Sequence, residues 1–151
     1  MVNPNAAGTT GETFEMDIER GKIREFAAAT GSQHPAYLAE NPPIPPTFLT
    51  TQIFWAGDQN RVWEAVEMDQ QRGLHAEQEF IFHGPPPRAG VRLSATSRID
   101  QIYTKQGKRG GELTFAVMVT EFRDHDGHLV AESRLTGVET GRPPAASTKE
   151  Q

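Results

Sequence analysis

The stretch from Pro45 to Gly57, PPTFLTTQIFWAG, limits what this chain can become more than any other. Two prolines fix an extended entry, the hydroxyl of Thr47 is placed to cap a first turn, and Phe48, Leu49, Thr50, Ile53, Phe54 and Trp55 follow without a breaker until Gly57. The pattern predicts a short helix, apolar on nearly every side. Only a partner covering most of its circumference would remove those groups from water, so the rest of the chain has to supply one.

From Leu74 onward the apolar period changes to two. His75 to His83 predicts a first strand, stopped by Gly84 and the triple proline Pro85 to Pro87. In Val91 to Tyr103, the residues Val91, Leu93, Ala95, Ser97 and Ile99 face one way and Arg92, Ser94, Thr96, Arg98 and Asp100 the other. Lys105 to Gly111 reads as a hairpin connection, after which Leu113, Phe115, Val117 and Val119 are expected to resume the inward face. A second turn, Asp124 to Gly127, leads into an alternating run from Leu129 to Glu139. Four antiparallel strands enclosing one greasy helix answer the burial problem.

The upstream half is shorter in pattern. Phe14, Met16 and Ile18 alternate with charged residues as in a half-buried strand, and Ile23, Phe26 and Ala27 lie at helical spacing before a stop at Gly31. Ser32 to Pro46 contains five prolines and predicts an ordered loop wrapping toward the central helix. Val62, Trp63, Val66 and Met68 fit a helical turn and an exposed segment equally well. The expected organisation is a mobile arm over 1–12 with almost nothing to bury, one domain over 13–140, and a frayed tail over 141–151.

Bulk properties exclude several classes. The 151 residues suffice for one core, the 36% hydrophobic and 23% charged content is ordinary for a soluble chain, and no apolar run approaches the roughly 20 residues of a membrane span. With no leader pattern and no cysteine, the expectation is a cytoplasmic protein without disulfides or thiolate chemistry. A net charge of −5 argues against a general nucleic-acid binder.

The segments ERGKIREFAAATG, PPTFL, HAEQEFIFHGPPPRAGVRL and TEFRDHDGHLVAES, in that order, resemble the N-terminal-type domain of MaoC-like dehydratases, including the HadA-type subunits of 3-hydroxyacyl-thioester dehydratases. The resemblance runs from about Phe14 to Thr140, and GPPPRAG is its most specific block. It implies an α+β hot-dog fold, a curved antiparallel sheet wrapped around one central apolar helix, and dimers with a continuous sheet. The implied reaction is reversible addition of water across a trans-2-enoyl thioester carried on coenzyme A or acyl carrier protein, giving the (R)-3-hydroxyacyl product. No cofactor and no metal are implied.

In catalytic relatives an Asp and a His, in a loop resembling Asp-x-Asn-Pro-x-His after the first helix, activate water, while a backbone amide at the start of the central helix stabilises the developing oxyanion. The matching stretch here is Ser32-Gln33-His34-Pro35-Ala36-Tyr37, with Ser32 at the Asp position and Tyr37 at the His position. A serine cannot take a proton at neutral pH, and a tyrosine stays protonated there. His34 is the alternative base, but its loop offers no acid to orient it. The resemblance therefore implies a subunit without its own dyad, assembled as a homodimer or as a heterodimer with a catalytic hot-dog partner. A self-sufficient hydratase or thioesterase using His34 and a non-catalytic acyl-thioester binder remain the alternatives.

Other residues carry weaker signals. Thr47 and Phe48 open the central helix, where free amides would face a thioester. Arg88 sits in a loop stiffened by prolines and is the preferred contact for phosphates or an acidic carrier, within a basic set formed with Arg92, Arg98, Lys105, Lys108 and Arg109. His75, Glu77, Glu79 and His83 share parity on one strand, which suits a metal or, more simply, a solvated or interface face. Phe54, Trp55 and Trp63 suit an acyl tunnel or plain core. His125 and His128 stand in or beside a turn and are given no role.

Overall fold

A computed structural model describes residues 1–57, 61–108 and 111–141; the tail from Arg142, and Arg109 of the basic set, lie outside them. Five strands, β1 (Phe14–Asp17), β2 (Gly73–Phe82), β3 (Arg92–Gln106), β4 (Glu112–Arg123) and β5 (Leu129–Thr140), form one antiparallel sheet in the order β1-β3-β4-β5-β2. Helix α1 (Arg20–Ala29) follows β1 and buries Ile23 and Ala27, and Gly31, at φ +71°, ends it where a side chain would be strained. The segment from Pro45 to Gly57 lies against the inner face of the sheet. Phe48, Leu49, Met16, Leu93, Ala95, Phe122 and Ala131 are fully buried together there.

That central element is tighter and less enclosed than its composition predicts. It begins as a 3₁₀ turn (Phe48–Gln52) and becomes α-helical only over α2 (Ile53–Ala56). Phe48 and Leu49 are 0% exposed, yet Ile53 and Phe54 are 70% and 69% exposed, so the sheet wraps the first turn and leaves the second in solvent. The Thr47 hydroxyl does not cap it; instead the Thr47 carbonyl accepts from the amide and hydroxyl of Thr50.

Two further expectations are corrected. Residues 1–12 are docked rather than an arm with nothing to bury: Val2 and Ala6 are buried against Val62, Val66 and Ile99. Backbone bonds tie Gly8 and Gly11 to Ile99 and Ser97, and Asn3 donates to the carbonyls of Val66 and Ala65.

In β4 the inward residues are Ala116, Met118, Thr120 and Phe122, not Leu113, Phe115, Val117 and Val119. Pairing decides it, since Phe122 lies opposite Ala95 and Ala131, and Thr120 opposite Ser97 and Ser133. Both faces of β4 are apolar enough that alternation alone cannot choose between them. Outside, Phe115 stacks on Tyr103 with centroids 5.0 Å apart under the Lys105 ammonium, and Val119 is covered between Arg98 and Arg134.

The outer face is laced by ion pairs. Arg98 reaches Glu121 and Asp100 at 2.7 and 3.0 Å, Arg123 reaches Glu121 at 2.6 Å, and Arg92 is bidentate on Asp17. The Arg123 guanidinium beside Glu121, and that of Arg92 beside Asp17, hold both carboxyls below the usual range; Arg72 does the same for Asp69. A carboxyl whose folded pKa is depressed contributes stability above its unfolded pKa of about 4 and loses it as pH falls through the folded value. The urea midpoint is therefore expected to be insensitive to these three groups from pH 7 to 5 and to drop below about pH 4. Glu121→Gln should shallow that acid limb, and an unchanged limb would show that the pair is inert.

Candidate functional site

The loop after α1 is held at both ends. The Ser32 amide donates to the Ala27 carbonyl at 2.8 Å, and Arg24 of α1 donates to the Leu38 carbonyl at 3.0 Å. Between them Pro35–Leu38 forms a 3₁₀ turn capped by His34, whose Nδ1 accepts from the Ala36 amide at 3.2 Å. An Nδ1 used as an acceptor leaves the neutral ring's proton on Nε2, and no carboxylate pairs with this ring among the described residues. His34 is thus a turn-capping histidine exposed to solvent. The Ser32 hydroxyl accepts from the His34 amide at 3.4 Å, and Tyr37 packs against the core with its ring 5.7 Å from that of His34. The three residues nominated by the motif do come together, but as a hydrogen-bonded turn with no acid in it.

The loop continues into a clasp with the GPPPRAG segment. Arg88 donates to the Asn41 carbonyl at 2.7 Å, the Ala89 amide to that of Pro42, and the Ile44 amide to that of Pro87. Gly90 and Val91 in turn exchange bonds with Ile18. Arg88 is therefore a surface residue with one guanidinium N–H committed to holding two proline-rich loops together. Of the other cations in the basic set, Arg92 and Arg98 are spent on carboxylates, and the Lys105 ammonium lies over the Tyr103 and Phe115 rings.

At the start of the central element the Phe48 side chain is core and its amide donates to the Pro45 carbonyl at 3.0 Å, leaving Thr47 as the exposed member of that pair. The aromatic row divides in the same way: Trp55 packs on the Phe48 cluster, Phe54 points to solvent with the Lys22 ammonium 5.6 Å from its ring centre, and Trp63 lies against the sheet 74 positions before Gly137 in a separate cluster.

The parity row on β2 does not survive folding. A bulge between His75 and Glu77 turns His75 to the inner face, opposite Gly137, while Glu77, Glu79 and His83 stay outside. There His83 Nε2 meets Glu132 Oε2 at 2.9 Å, Arg134 reaches the other oxygen at 3.3 Å, and Glu132 is 8% exposed. This His–carboxylate pair depends on the β2–β5 register, which no local motif carries. It stands on the opposite side of the sheet from Phe48. The two other pairs, His128 with Asp124 and His125 with Asp126, sit in the β4–β5 turn, where Asp124, Asp126 and His128 approach one another without an ion.

Among the described residues no helix is long and apolar enough to cross a membrane. Comparison with solved structures finds the same hot-dog fold in two-subunit assemblies. The C-terminally truncated HadBC (3R-hydroxyacyl-ACP dehydratase) complex of Mycobacterium tuberculosis superposes with TM-score 0.64 at 24% identity, covering 85% of this chain and 95% of that one. The ChsH1–ChsH2 complex of the same organism superposes with TM-score 0.72 at 15% identity, covering 94% and 89%. In sequence, the UPF0336 protein SCO4636 of Streptomyces coelicolor is 38% identical over 104 residues, 63% of this chain and 69% of that protein. Residues 5–133 match the family described as FAS1-like, dehydratase domain region, a span that takes in β1 to β4, the proline-rich clasp, the central helix and the start of β5. On that match the chain belongs to the FAS1-like dehydratase-region family.

Proposed function

We propose that this chain is one subunit of an (R)-specific 2-enoyl-thioester hydratase, equivalently a 3-hydroxyacyl-thioester dehydratase, of the HadA type, and that a dyad-bearing hot-dog partner supplies the chemistry. The observation that carries the reading is the turn Ser32–Tyr37, in which the one imidazole accepts from a backbone amide and has no carboxylate beside it. Hydration needs a group that deprotonates water and returns a proton to C2, and the one imidazole in this turn has its Nδ1 lone pair taken by the Ala36 amide and no carboxylate to orient it. Family membership and the two-subunit hot-dog assemblies support a partner of the same fold. The substrate is an acyl thioester on coenzyme A or carrier protein, the setting is cytoplasmic, and exposed Thr47 at the start of the central helix is assigned to the thioester, with exposed Arg88 assigned to the phosphates or acidic surface of its carrier.

The test is co-expression with dyad-bearing hot-dog proteins encoded beside this chain. A stable mixed complex is expected to hydrate crotonyl-coenzyme A, the isolated chain is expected to be inactive, and His34→Ala in the complex should leave turnover within about twofold, since a 1.4 kcal/mol change would already be tenfold. Turnover by the isolated chain that His34→Ala abolishes would replace the proposal with a self-sufficient enzyme. Mixed complexes that bind thioesters without hydrating them would replace it with an acyl-thioester binder.

A further inference from the structure

A cleft of about 210 Å³ lies on the inner face of the sheet, between the 3₁₀ turn Val62–Val66 and the paired segments of β2 and β5. Trp63, Met68, Leu74, Leu135 and Gly137 line it, Gln70 and His75 are its polar side chains, and no Asp, Glu, Lys or Arg lines it. Its depth is set by two glycines. A Cβ on Gly137 would lie 2.7 Å from Trp63 Cζ2, and one on Gly73 would lie 3.2 Å from Met68 Sδ. Because the strands carry hydrogen at those two positions, the six-membered ring of the indole and the thioether come within contact of the sheet backbone and form the floor of the cleft.

We infer that this cleft receives the far, apolar end of the acyl chain and that Trp63, seated on Gly137, limits its length. This inference rests on the proposed thioester substrate. The volume is about seven times that of a water molecule in the liquid, room for a similar number of methylene-sized groups, and falls below the roughly 300–1,000 Å³ of sites that enclose a whole small ligand. It fits a chain end and not a coenzyme. The absence of charged lining residues agrees, since phosphates would find no counter-ion there, while Met68 and Leu135 offer adaptable apolar walls.

Trp63 also provides the readout. It is one of two tryptophans, so Trp55→Phe leaves it as the sole indole of the full-length chain. Titration of that variant with hexanoyl-, octanoyl- and dodecanoyl-coenzyme A is expected to change Trp63 emission, whereas coenzyme A alone should not. Affinity should rise by about fourfold per added methylene until the cleft is full and then level off. Read by calorimetry, since they remove the indole, Trp63→Ala and the milder Trp63→Phe should move that plateau to longer chains; Gly137→Ala, which pushes the indole off its seat, should move it to shorter ones by either readout. The same shifts are expected in the chain-length profile of the active mixed complex. A complex that hydrates enoyl thioesters with a profile unmoved by all three substitutions would overturn the cleft assignment and leave the subunit proposal standing. Failure of every mixed complex to hydrate any thioester would remove the subunit proposal itself, and with it the acyl occupant.

Discussion

Phe48→Ala is expected to destabilise the isolated chain by about 3–5 kcal/mol, the range for emptying a fully enclosed aromatic site. The ring is 0% exposed and meets Phe26 edge to face at 5.5 Å, within the cluster that joins β1, β3, β4, β5 and the proline-rich loop through Met16, Leu93, Phe122, Ala131 and Ile44. Each of those neighbours belongs to a different element, so none can move into the void without breaking its own strand pairing. Phe54, six residues on, supplies the control. It has the same side chain on the same stretch but is 69% exposed, and Phe54→Ala should change the isolated chain by no more than about 0.5 kcal/mol. Urea unfolding of both variants decides the matter. Similar losses at the two sites would mean that the central element is enclosed along its whole length in solution, as its composition alone predicts.

That contrast shows how far the residues speak for themselves. The alternation of Phe14, Met16 and Ile18, and of Leu93, Ala95, Ser97 and Ile99, placed β1 and β3 with the correct face inward, because polar residues stand between them, whereas Val91, read with the second set, precedes β3 and is exposed. The clasp loop was legible as an ordered wrap from its prolines, and Ile44 and Tyr37 do pack on the core. The face of β4 was not, because Phe115, Val117 and Val119 are as apolar as the residues that face inward, and only the register with β3 and β5 separates the two sets. Nor was the outer-face pair His83–Glu132, whose members are 49 positions apart and meet only once β2 is laid beside β5. At the turn after α1 the motif gave the positions Ser32, His34 and Tyr37, but not that the His34 ring would be taken by a backbone amide. A cap formed two residues downstream depends on the φ and ψ of a proline turn, which residue types alone leave open. The second turn of the central helix was misread for a related reason: hydrophobicity states what a segment would prefer to cover and is silent about whether the same chain supplies the cover.

Thr120→Val is expected to cost about 1–3 kcal/mol, although it preserves the side chain's shape. Thr120 and Ser97 are 1% and 5% exposed, their hydroxyls meet at 2.8 Å, and valine would leave the Ser97 hydroxyl buried with no bond in place of that one. The double variant Ser97→Ala/Thr120→Val removes both polar groups and should recover most of the loss, so a double-mutant cycle reads the pair directly. The position gives the pair its importance. It lies between the apolar cluster around Phe48 and the one around Val66, and Ser133, opposite Thr120 on β5, continues the polar row to Gln78 of β2, which donates to it at 2.9 Å. Moving β4 by one residue against a fixed β3 would turn Val119 or Glu121 inward opposite Ser97 and leave that buried hydroxyl without its partner. Over Phe115–Val119 both faces of β4 are apolar, so hydrophobicity there does little to oppose that slip, and the hydroxyl row opposes it together with Glu121, which would be carried inward away from Arg98 and Arg123. The double variant should therefore be nearly as stable as the native chain but less definite in its packing, with broader unfolding and faster amide exchange along β4. A double variant no more stable than Thr120→Val alone would show that the cost lies in the fit of the methyl groups and would remove the hydroxyl pair as the keeper of the register.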